Sequence, residues 1–215
     1  SIEAYASLAE IEEKALLGVI VPLFSQMALE VCIGQQLDME FETRSEVCPE
    51  EYMEMIRLKT SVLLGASLQI GALIGGAQPA EALRLYEAGV QLGLAFQIQD
   101  DLLDVYGDEQ TFGKPIGGDI IHAKKTLLLL YTLEQLQGDA LSELHSILAL
   151  SPEERAGKVD RVRELYDEAS TRTYAEAEVQ RLTDKAFSLI DQMELREEGR
   201  SLLLALFHTL SGRTK

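Results

Sequence analysis

Three aspartates in the segment FQIQDDLLDVYGD, Phe96 to Asp108, have the types and spacing to do chemistry. Asp100 and Asp104 are four apart and Asp101 and Asp104 three apart, so on a helix they share one face. At 1.5 Å rise per residue, Asp100 and Asp104 lie about 6 Å apart along the axis, with Gln97 on the same side one turn earlier. Two carboxylates at that range repel by about 3 kcal/mol at an effective dielectric of 20, but by under about 1 kcal/mol in water. Leu92, Leu94, Phe96 and Ile98 precede the acids, and Leu102, Leu103 and Val105 follow. The apolar setting predicts partial burial, and a divalent cation would remove the repulsion. Oxygen ligands without His or Cys favour magnesium, which keeps waters and completes its shell with substrate phosphates. The same three residues would equally serve to solvate a helix face.

Basic residues stand where phosphate would lie. Lys114 occurs in the loop FGKPIGGD and Lys124 in the following DIIHAKKT, both in a chain of formal net charge −17. Gly113, Gly117 and Gly118 let backbone approach an anion, and lysine serves phosphate oxygens as a mobile point charge.

Helices must position these groups. Apolar residues recur at helical spacing nearly everywhere, and alternating β-branched runs are hard to find, which predicts an all-α fold in one domain, 1–215. One helix is expected over Leu16 to Glu42, with Pro22 near its start. A second opens at Pro49 and runs to Gly75 or Gly76, bent near Lys59, and a third runs from Pro79 to near Gly107. Asp119 reads as the cap of the next helix. Beyond Gly138, amphipathic patterns cover Ser142 to Ala149, Val159 to Ala169, Tyr174 to Met193 and Ser201 to Leu210, with no chemistry visible in that half.

The acid excess argues against nucleic acid or anionic membrane as a partner. Cys32 and Cys48 suit neither a disulfide framework nor a zinc site, and are expected as buried thiols of a cytoplasmic protein. Val62 to Ala77, read as the longest apolar stretch, falls short of the ~20 residues of a membrane span, so no stable membrane insertion is expected. The N-terminus lacks the pattern of a signal peptide.

Taken in order, Gly34-Gln35 with Asp38 in CIGQQLDMEF, Lys59-Thr60 in RLKTSVLL, FQIQDDLLDVYGD, GKPIGGD and HAKKT resemble the motifs of trans-isoprenyl diphosphate synthases. The resemblance spans Phe24 to about Leu130. It implies an antiparallel helical bundle of the isoprenoid synthase type, and a magnesium-dependent prenyltransferase that joins an allylic diphosphate to isopentenyl diphosphate. It implies that Asp100, Asp101 and Asp104 coordinate Mg2+, with Asp100 the foremost ligand. Lys59, Thr60, Gln97, Lys114 and Lys124 would contact the allylic diphosphate or its metals, while Gln35 and Asp38 would line the same cavity. A homodimer is implied as well.

Such enzymes carry an earlier aspartate-rich motif and upstream basic residues, yet the only Asp before Asp100 is Asp38. The expectation is therefore an N-terminally incomplete chain that does not turn over alone. The alternative is a noncatalytic partner subunit of a prenyl diphosphate synthase complex. A dimetal carboxylate bundle would want ExxH pairs, which are absent. His122, His145 and His208 read as packing or surface residues, Met27, Met39, Met53 and Met55 as core filler, and Gly65, Gly71 and Gly75 as close helix contacts.

Overall fold

The computed structural model describes residues 2–107 and 116–211, which are helical with no strand among them. In chain order the helices are α1 (Ile2–Ala9), α2 (Lys14–Thr43), α3 (Pro49–Ile56), a π-helical turn (Arg57–Ser61), α4 (Val62–Ile74) and α5 (Pro79–Tyr106). After them come α6 (Gly118–Ile121), α7 (Leu127–Gln135), α8 (Gly138–Leu148), α9 (Pro152–Ala156), α10 (Val159–Glu168), α11 (Thr171–Asp191) and α12 (Glu197–Ser211).

The centre is α5. Its start is set by Pro79 at N1 and by the Glu81 carboxylate, which accepts the backbone N–H of Gln78 at 3.1 Å. Helix α5 has buried residues from Ala82 to Val105 and packs on α4 and on α11. A helix apolar most of the way round belongs in an interior. The larger core gathers Ile98, Leu102, Leu127, Leu128, Leu144, Leu165 and Leu182, while Leu92, Ile190 and Phe207 belong to a second cluster.

Glycines set how closely the site helices approach. A Cβ on Gly89 would lie 2.8 Å from the Gly65 Cα, and one on Gly93 would lie 2.6 Å from the Ser61 Cα. As α5 advances from 89 to 93 its partner retreats from 65 to 61, so α4 and α5 run antiparallel. Gly34 does the same for α2: its Cβ would fall 2.3 Å from the Lys59 backbone nitrogen. With Met27 clustered against Val62 and Ala66, α2 is antiparallel to α4 also. Near Lys59, where a bend is expected, the chain forms the π-turn, seated between Gly34 and Gly93.

Several expectations are corrected. Gly71 has nothing within 4 Å and Gly75 meets only carbonyls of its own helix, so of the three only Gly65 is a close helix contact. Cys32 and Cys48 are exposed free thiols, not buried ones. Met39 is exposed, whereas Met27 and Met55 are buried. Asp119 lies in the first turn of α6, whose N-cap is Gly117 at φ 86. Among the described residues, α2 is by length and composition the helix apolar enough to cross a membrane, longer than Val62 to Ala77. Its buried residues, Ile20, Met27, Gly34 and Phe41, fall on one line seven residues apart, and Val19, Leu29, Ile33 and Met39 are exposed.

The glycine contacts give a paired test. Gly34→Ala forces a methyl into backbone and should destabilise by about 1–3 kcal/mol or more. Gly71→Ala, on an open helix face, should stabilise by about 0.5–1 kcal/mol. Urea midpoints of the two variants should move in opposite directions.

Candidate active site

Asp101 is 2% exposed on α5. The Tyr52 hydroxyl of α3 donates to its Oδ2, and the Gln97 amide donates to its Oδ1 at 3.4 Å. Thr60, in the π-turn, donates to Gln97 Oε1 at 3.2 Å. The Lys124 ammonium stands 3.7 Å from Asp101 Oδ1 and 3.5 Å from Asp119 Oδ1. Asp104 Oδ1 accepts the Asp119 backbone N–H at 2.8 Å, and the Asp104 carbonyl accepts that of Gly117 at 2.7 Å. Gly118 leaves room for this, because a Cβ there would sit 3.2 Å from Asp104 Oδ2.

On the α2 side, Asp38 pairs with Lys59 at 2.6 Å. A cavity of about 480 Å³ opens beside the cluster and includes Asp38, Asp119 and Lys124 in its wall. Ala123, at the left-handed φ of 50°, turns the chain just ahead of Lys124. Asp100 is half-buried and makes no hydrogen bond or ion pair among the described residues.

The arrangement thus brings together Asp38, Lys59, Thr60, Gln97, Asp100, Asp101, Asp104 and Lys124. Gln35 is exposed, with no side-chain hydrogen bond among the described residues. Lys114 lies outside the described residues. Tyr52 and Asp119 are additions. Tyr52 carries no sequence signal beyond that of a core aromatic, whereas the run GGD ahead of HAKKT could have marked Asp119 as more than a cap.

Electrostatics follow from burial and crowding. Desolvation, opposed by Lys124 and reinforced by Asp119, raises the Asp101 pKa to about 7. Asp119 rises to about 6 for the same first reason, opposed by Lys124 and reinforced by Asp104. Burial works against the Lys124 ammonium, but Asp101 and Asp119 overcome it and lift its pKa above the ordinary lysine value. Burial and the Asp101 charge push Tyr52 well above 10, so its hydroxyl keeps the proton it donates.

Asp38, Asp100, Asp101, Asp104 and Asp119 are five carboxylates against two ammonium groups, Lys59 and Lys124: an excess of three negative charges when all are ionised. Among the described residues no three His, Cys, Asp or Glu side chains converge as a self-sufficient metal group. An oxygen-only donor set, with Asp100 unpaired among the described residues, suits magnesium, which takes few protein ligands and the rest from water and phosphate.

The family profile for polyprenyl synthetases matches residues 2–168. The chain belongs to the polyprenyl synthetase family. It is 36% identical over 184 residues to a short chain isoprenyl diphosphate synthase of Methanothermobacter thermautotrophicus, covering 86% of this chain and 55% of that protein. A crystal structure of a geranylgeranyl pyrophosphate synthase superposes with TM-score 0.90 at 38% identity, covering 100% of this chain and 66% of the other. The geranylgeranyl pyrophosphate synthetase of Pyrococcus horikoshii gives TM-score 0.88 at 30% identity, with coverages of 98% and 63%. The chain therefore spans between about half and two thirds of these relatives. The all-α isoprenyl synthase fold expected from the motifs is borne out, as is the family.

The buried carboxylate gives a pH test. Its folded-state pKa of about 7 lies above the ordinary 3.8, so between those values the folded protein holds a proton that the unfolded chain has lost. Asp101 therefore adds stability as pH falls through this window and loses it as pH rises. In divalent-free buffer, wild type should gain stability relative to Asp101→Asn when pH is lowered from about 8 to about 5. A flat difference in urea midpoints would mean the carboxylate is ionised throughout.

Proposed function

We propose that the protein is a magnesium-dependent prenyltransferase that condenses an allylic diphosphate with isopentenyl diphosphate. The observation that carries this reading is Asp100, a half-buried carboxylate without a partner among the described residues, beside four further acids that outnumber the described lysines paired with them. In this reading Asp100 and Asp104 hold Mg2+, with Asp101 behind them keeping Lys124 in place through the Tyr52 and Gln97 hydrogen bonds. Bound magnesium would supply charge neutralisation for the departing diphosphate.

The side chains do the rest. Lys59 and Lys124 are held by acids and can exchange those partners for phosphate oxygens. Thr60 and Gln97 hold each other in place between them, and we place Lys114 on the same substrate group. Preorganised cations aimed at a developing anion are often the largest contribution to catalysis. The allylic C–O bond breaks with its electron pair leaving on diphosphate, the isopentenyl double bond attacks the resulting cation, and a proton is lost. The leucines, isoleucines and alanines of α4 and α5 keep water from that cation. A noncatalytic partner subunit would have no use for confining these charges.

Turnover of the intact enzyme is measured with radiolabelled isopentenyl diphosphate, an allylic diphosphate and magnesium. Asp100→Ala should lower it by on the order of a hundredfold or more with the fold intact by circular dichroism. Unchanged turnover in saturating magnesium would remove Asp100 as ligand.

The implied homodimer finds support in the exposed apolar residues Val19, Leu29, Ile33 and Met39 of α2. Sedimentation velocity should give a dimer for wild type and a monomer for the double variant Leu29→Glu and Ile33→Glu. A dimer that survives both substitutions would place the interface elsewhere.

A further inference from the structure

A second cavity, of about 540 Å³, lies behind the segment that carries Lys124. Glu42 at the end of α2 and His122, Ala123 and Lys125 line both cavities, which are therefore neighbours across these residues, whereas Lys124 lines only the first. The far walls of the second come from the chain after α2 and from α7, α8 and the short α9. Leu130, Leu133 and Leu148 give it an apolar side, and Lys125, His145 and Arg155 a basic one.

Arg155 is the unusual member. It is 8% exposed, its Nε donates to the Leu150 carbonyl at 2.9 Å, and its Nη1 is enclosed without a hydrogen-bond partner. No carboxylate pairs with it among the described residues, although acids outnumber bases 36 to 19 in the chain. The half-buried Arg161 and the exposed Arg172 and Arg181 all find glutamates. A buried guanidinium without a counter-charge is costly, and an arginine fork matches an oxyanion.

Lys125 adds to the basic side. It is half-buried, and its Nζ donates to the Phe41 carbonyl at 2.5 Å. Glu42 and Glu46 also line the cavity but are exposed, as are His122 and His145. The positive charge withdrawn from solvent is that of Arg155, and the leucines beside it would leave a bare phosphate ion half-covered by hydrocarbon. The volume is in the range of sites for small organic ligands.

We propose that this second cavity binds an amphiphilic organic oxyanion, its head group on Arg155 and its aliphatic part against Leu130, Leu133 and Leu148. The site is separate from the aspartate cluster and does not depend on the catalytic reading.

Calorimetric titration in magnesium-free buffer tests it with octyl phosphate, octanoate and inorganic phosphate. At least one of the two octyl probes should bind at least tenfold more tightly than inorganic phosphate, and the better one identifies the head group as phosphate or carboxylate. Binding should persist in Lys59→Ala, which leaves Asp38 in the wall of the first cavity without its lysine, and weaken at least tenfold in Arg155→Met. Should Arg155→Met fail to fold, His145→Glu, at an exposed wall position, should weaken binding in its place. The proposal is overturned if neither octyl probe outdoes inorganic phosphate, if Lys59→Ala abolishes binding, or if the folded Arg155 or His145 variant binds as wild type does.

Discussion

Placing a carboxylate inside an apolar helix is the constraint on which the site depends. Asp101 is buried on α5 and cannot reach bulk water, so its oxygens must be served from within the protein. The groups that serve it come from different parts of the chain: Tyr52 from α3, Gln97 from α5 itself, and Lys124 from the segment after α6. Satisfying one acid therefore fixes α3, α5 and the α6–α7 connection relative to one another. Lys124 in turn holds Asp119, whose backbone holds Asp104.

Packing and electrostatics support each other here. The close approach allowed by Gly34 and Gly93 brings the π-turn between α2 and α5, which puts Lys59 within reach of Asp38 and Thr60 within reach of Gln97. Larger residues at those glycines would separate the helices and lengthen these contacts. The low-dielectric surroundings that make the acids repel also strengthen their attraction for any cation brought among them. The charge excess is thus a property of the fold and not only of composition.

Much of this was legible in the sequence because it was local. The apolar spacing of α5 and the prolines at 49 and 79 read directly as helices, and the three- and four-residue spacing put the aspartates on one turn. What the sequence could not display was which side of each helix would meet a neighbour. Cys32 and Met39 looked like interior residues by type, yet α2 buries only a narrow line of its surface, and both fall off that line. Asp119 looked like a cap because its tertiary partners, Lys124 and Asp104, are visible only once the chain is folded. Tyr52 was hidden for the same reason: a buried phenol reveals its partner only when α3 lies across α5. Gly71 looked like Gly65 in a run of small residues, and only the position of α5 separates them.

The π-turn at Arg57–Ser61 has a further consequence for the length of the chain. A wide turn of this kind holds one residue more than the regular helix needs, and so changes the rotational phase of α4 relative to α3. Each residue of an α-helix advances about 100° around the axis, so losing the extra one would rotate α3 by roughly that angle relative to α4. Tyr52 would then point away from Asp101 even though every side chain of α3 was unchanged. The number of residues over 57–61 is therefore as much a part of the site as the identities of Lys59 and Thr60, and the segment acts as an indexing device between two helices that read as one.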